Sequence, residues 1–138
     1  MENLVRVVFG LLLIALVFAS VYAADTPEMI WYKQINLTEE LASVIHDNQN
    51  DCDRMGSKLG QLVIDNAALM MKAQRLTPEQ KRQGKQRYDI RRRAASARMV
   101  DGLSRCHTNA RVEAAIAKIH ALEPGAADAL TALATRSQ

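Results

Sequence analysis

Hydrophobic residues are distributed along this chain in two regimes. Residues 7–19 (VVFGLLLIALVFA) form an unbroken apolar run, whereas beyond residue 24 apolar positions recur at helical spacing among polar ones. The clearest periodic stretch covers residues 41–76. There Leu41, Ile45, Asn48, Cys52, Met55, Leu59, Leu62, Asn66, Leu69, Ala73 and Leu76 follow a 4-3 spacing that keeps to one side of a helix. Gly56 and Gly60 lie beside the stripe, where they either permit close approach of another helix or mark a bend. Asn48 and Asn66 interrupt it, as buried register-setting residues or as points where the stripe drifts to solvent. A second track carries Tyr88, Ala95, Met99, Leu103 and Cys106. It continues, or restarts near Thr108 or Asn109, into Val112, Ala115, Ile116, Ile119 and Leu122.

Helix starts are marked along the body. Thr26-Pro27-Glu28 offers a capping side chain followed by proline at the first helical position. Asn36 with Glu39 has the spacing of a capping box, and Thr77-Pro78-Glu79-Gln80 combines cap, proline and a reciprocating Gln. Glu123-Pro124-Gly125 ends one helix and allows a short one after it. Sustained β-type alternation is absent from the sequence. The pattern predicts an all-α fold, an antiparallel helical hairpin or bundle of two long and one or two shorter helices.

The apolar run at the start reads differently. Residues 1–6 are weakly positive, and the run is followed by Ser20-Val21-Tyr22-Ala23, with small side chains at positions suited to a signal peptidase. Residues 1–23 are therefore expected to be a signal peptide cleaved after Ala23, and residues 24–138 a single helical domain. The alternative is an uncleaved anchor, since uncharged residues 7–24 are at the short end of what spans a bilayer; only then would the protein contact the membrane. Under both readings Asp25 and Glu28 follow on the far side, and the body is extracytoplasmic, periplasmic or secreted. No cysteine follows the run to carry a lipid anchor.

Composition narrows the function classes. At 138 residues, 49% hydrophobic and 24% charged, the chain is too short for two ordinary domains and too apolar for disorder. Beyond residue 23 only Trp31, Tyr32 and Tyr88 are aromatic, which argues against a site walled by stacked rings. The two cysteines in an exported chain predict a disulfide, Cys52–Cys106, with an intermolecular bridge or free thiols as the alternatives. In an antiparallel hairpin turning near Thr77, both cysteines would stand at similar distances from the turn. A metal or haem centre is not expected. Leu103 occupies the place of the first cysteine in a C-x-x-C-H attachment, and the adjacent Cys106 and His107 point about 100° apart on a helix.

The net charge of +3 conceals two opposed blocks. Asp25, Glu28, Glu39, Glu40, Asp47, Asp51 and Asp53 stand against Lys33 alone, while ten bases between residues 72 and 98 face only Glu79 and Asp89. Lys81, Arg82, Lys85, Arg87, Arg91, Arg92 and Arg93 are the candidate residues for an anionic or acidic partner such as an envelope surface. The plainer alternative is a solvated helix face. Nucleic acid is not expected, given the export signal and the shortage of stacking aromatics. No nucleophile triad, phosphate loop, zinc-binding helix or paired-carboxylate arrangement stands out, so the expected protein is non-enzymatic and binds no cofactor. Asn36-Leu37-Thr38 is a glycosylation sequon, meaningful only in a eukaryotic secretory pathway.

Leu76-Thr77-Pro78-Glu79-Gln80 resembles the LTxxQ motif of the Spy/CpxP family of periplasmic proteins, and Leu37-Thr38-Glu39-Glu40-Leu41 resembles a degenerate second copy. The resemblance implies an all-helical periplasmic protein with chaperone-like binding linked to envelope stress. From the residues themselves, the leading expectation is a small exported helical protein acting through contact with an unidentified protein partner. A ligand or cofactor carrier in the bundle core is a further alternative.

Overall fold

The computed structural model describes residues 24–136; the signal segment expected at residues 1–23 lies outside the described residues. Seven α-helices and no strand occur among the described residues. They are α1 (Pro27–Asp47), α2 (Cys52–Asp65), α3 (Ala67–Gln74), α4 (Pro78–Arg87), α5 (Asp89–Cys106), α6 (Ala110–Leu122) and α7 (Pro124–Thr135). The all-α expectation holds. None of these helices is long and apolar enough to cross a membrane.

Local chemistry explains most of the boundaries. Thr26 caps α1 by accepting from Met29 N, with Pro27 in the first turn. Thr77 and Gln80 form the expected reciprocal capping box of α4. Asn109 caps α6, its Oδ1 accepting from Arg111 N and Val112 N. Two further boundaries are only kinks. At Asn66 and Tyr88 the chain leaves helical geometry for one residue, yet main-chain bonds bridge the break through Met70 N to Asn66 O and Arg92 N to Tyr88 O. Thus α2–α3 and α4–α5 behave as two bent rods.

Two expectations are corrected. The apolar stripe of residues 41–76 is not one helix, because the chain turns at residues 48–51. There Asn48 is buried with its Nδ2 donating to Val44 O, and Asp51 caps the next helix by accepting from Arg54 N. Three polar residues that prefer caps and turns cluster at this point, and their side-chain bonds compete with helix continuation. The proposed capping box at Asn36 and Glu39 is absent, since both residues lie within α1, where their side chains receive Arg91.

The topology also differs from a long antiparallel hairpin centred on Thr77. The chain runs up α1, down α2–α3, up α4–α5, down α6 and up α7. Asp25 meets Lys72, so the first antiparallel hairpin turns at the corner after Asn48. Across the two halves the pairing is parallel. Glu39 meets Arg91, Ser43 meets Arg98, Ile45 meets Gly102 and Asn50 meets Arg105, all with rising numbers on both sides. Asp53 meets Asn109 and Gly56 meets Arg111 in the same sense. The bent unit α1–α2 is therefore nested on α5–α6, helix against like helix, and α7 fills the space where α5 and α6 diverge.

The two corners sit side by side, and the Cys52–Cys106 disulfide joins them, with Cα atoms 5.2 Å apart. The bridge was anticipated, but its geometric basis is the parallel nesting rather than equal distance from a turn. Ile45, Met55, Leu59, Leu103, Val112 and Ile119 are almost wholly buried where the nested pairs meet. Close approach is set by glycine. A β-carbon on Gly56 would stand 2.5 Å from the main chain of Arg111, and one on Gly102 would stand 2.7 Å from Ile45 O. Gly60, by contrast, would meet only the end of the Lys118 side chain, at 3.7 Å.

Candidate functional site

Away from the disulfide, α1, α3, α4, α5 and α7 enclose a cleft of about 450 Å³. That is within the size range of small-ligand pockets. Its walls are apolar: Leu37 and Leu41 from α1, Leu69 and Met70 from α3, Met99 from α5, and Leu130 and Leu133 from α7. The same helical periodicity that builds the core builds these walls. The cleft exists because α7 spans the gap between diverging helices without filling the space beside α1 and α3.

The mouth is polar. Lys81 and Lys85, one turn apart on α4, face it together with Arg92, Gln34, Gln74 and Glu123. Glu123 lies between α6 and α7 and accepts from Gln34 Nε2 at 3.2 Å. Burial pushes its carboxyl above the usual range, against the opposing pull of the Lys81 and Lys85 ammoniums. Trp31 forms one end of the cleft, its ring lying against Gly84 so closely that a β-carbon there would be 2.5 Å away. The buried Trp31 Nε1 has no hydrogen-bond partner among the described residues.

The seven candidate basic residues do not act as one surface. Arg91 is bidentate on Glu39, with Nε at 2.7 Å from Oε1 and Nη2 at 2.6 Å from Oε2, and it also donates to Asn36 Oδ1. It thereby ties α5 to α1 and holds the Glu39 carboxyl below its ordinary range. Arg92 and Arg93 share Asp89, whose carboxyl they also depress. Arg82 pairs with Glu79 in the same helix, lowering that carboxyl to about 2, and Arg87 stands 6.0 Å from the Tyr88 ring. Lys81 and Lys85 enter none of the ion pairs formed among the described residues. Of the seven, only Lys81, Lys85 and Arg92 line the cleft.

Sequence reasoning missed Glu123, which reads as a helix end. It also missed the cleft walls, whose members read as core. The available signal was the pair Lys81 and Lys85 at helical spacing, one turn apart on α4. A more open hollow between α6 and α7 carries His107, His120, Glu113 and Asp128. Among the described residues, no group of three or more His, Cys, Asp or Glu side chains could hold a metal ion.

No protein-family profile, curated protein or solved structure matches the chain. The structure gives Leu76-Thr77-Pro78-Glu79-Gln80 a local task as the start of α4, while Leu37-Thr38-Glu39-Glu40-Leu41 lies inside α1.

Proposed function

We propose that this is an exported, non-enzymatic helical binding protein that takes an apolar group into the cleft. The carrying observation is the cleft itself, about 450 Å³, apolar along its walls and polar at one rim. Such concave sites, mostly apolar with a few convergent polar groups, are the usual form of a ligand pocket. Export is supported by the leader pattern at residues 1–23 and by a disulfide of the kind that persists in oxidising compartments. The carrier reading is preferred to a surface acting on protein partners because the basic run is largely neutralised by the protein's own carboxylates. The family-like motif needs no binding role either, since helix capping accounts for it.

Native mass spectrometry of protein recovered from the envelope, together with binding of a fluorescent apolar probe, tests this reading. The expected result is a bound small molecule or strong probe fluorescence, most of it abolished by Ala129→Trp, which fills the cleft from an exposed position. Absence of both adduct and probe binding, or undiminished binding by a folded Ala129→Trp variant, overturns it.

A further inference from the structure

We infer that the cleft takes a single-chain amphiphile with a carboxylate head, its head held between Lys81 and Lys85 and its chain lying along Leu41, Met70 and Met99. This rests on the cleft being a binding site and adds the chemical class of what it binds. Four of the seven bases in the 81–93 run are already satisfied by Glu79, Glu39 or Asp89. Among the described residues neither lysine forms an ion pair, although they stand at i and i+4, where like charges repel and a shared counter-ion is favourable. Lys81 is half-buried at the cleft, so an anion bound beside it is less screened by water than one on an open surface.

The walls select the rest of the ligand. Leu and Met side chains conform to a flexible alkyl chain, and methionine in particular adapts to irregular apolar shapes. Gln34, Glu123, Lys81 and Lys85 lie near one another in the lining, which matches a molecule with one polar end. A cationic head is disfavoured, because two ammoniums would oppose it and Glu123, the only carboxylate among the described residues that lines the cleft, is one whose charge burial penalises. In its protonated form Glu123 becomes a hydrogen-bond donor to the bound carboxylate.

Titration calorimetry on the protein purified as exported, with dodecanoate, dodecanol and dodecyltrimethylammonium below their aggregation limits, tests the assignment. Dodecanoate is expected to bind about tenfold more tightly than dodecanol, the gain of a charge-assisted hydrogen bond. Combined Lys81→Gln and Lys85→Gln substitution should bring dodecanoate down to the level of dodecanol, and Glu123→Gln should retain or strengthen dodecanoate binding. Equal affinity for the three chains, a preference for the ammonium, or tighter binding of an apolar neutral peptide overturns the head-group assignment while leaving the cleft as a site. Failure of every probe removes the cleft reading as well.

Discussion

Glu123 shows how much one side chain's surroundings matter. Its carboxyl is pushed up by burial, in spite of Lys81, Lys85 and the Gln34 amide nearby. The folded state therefore holds this proton more tightly than the unfolded chain does. Stability from this group is fully present below the usual glutamate range and is lost as pH rises through the raised folded value. Asp25, Glu39, Glu79 and Asp89 have depressed values and act in the opposite sense, their contribution fully present above the usual carboxyl range and lost as pH falls through the lowered folded values. Glu123→Gln separates the two effects. Urea midpoints measured from pH 4 to pH 7 should show the variant gaining on the wild type as pH rises; parallel curves would refute the assignment. None of this was legible in the sequence, where Glu123 precedes a proline and reads as a boundary. Nor was the choice of partner for Arg91, which depends on where α1 lies beside it.

Helix starts were the most legible features, because Thr26, Thr77 and Asn109 act on main-chain groups within three residues. The corner at residues 48–51 was hidden by a stripe that keeps its 4-3 spacing straight through the turn. The glycines beside that stripe had two open readings, and the structure separates them. Gly56 is a crossing point, where a β-carbon would meet the main chain of Arg111 and Val112, while Gly60 has room. Gly56→Ala is expected to lower stability by about 1–3 kcal/mol through forced separation of α2 and α6. Gly60→Ala should be neutral or raise stability by up to about 1 kcal/mol, since alanine favours the helix. Urea denaturation of the two variants checks the pair, and equal effects would contradict the crossing geometry.

At the scale of the whole molecule, the parallel nesting of α1–α2 on α5–α6 is the property least accessible from sequence. Amphipathic spacing says that a face is buried without saying against which helix or in which direction. The disulfide was anticipated from cysteine count and compartment, and its position became intelligible only with the two corners side by side. It closes a loop with a separation of 54 residues. In the chain-entropy treatment that closure contributes about 4 kcal/mol, so Cys52→Ser with Cys106→Ser should lower unfolding stability by up to that amount. Equal denaturation midpoints with and without the bridge would show that it contributes nothing. The nesting also orders events in time. As the chain emerges from its amino end, α1 and α2 arrive with their main partner faces bare, because the surfaces that cover them lie in α5 and α6. No half of the molecule is a finished unit, and contacts between residues more than fifty positions apart are slow to form. Cys106 ends α5, so both thiols are present before α6 and α7, with the core residues Val112 to Ala134, have emerged. The crosslink is therefore a latch available before the door has closed, and until α6 and α7 fold over it the emerging chain is exposed to whatever binds apolar surface.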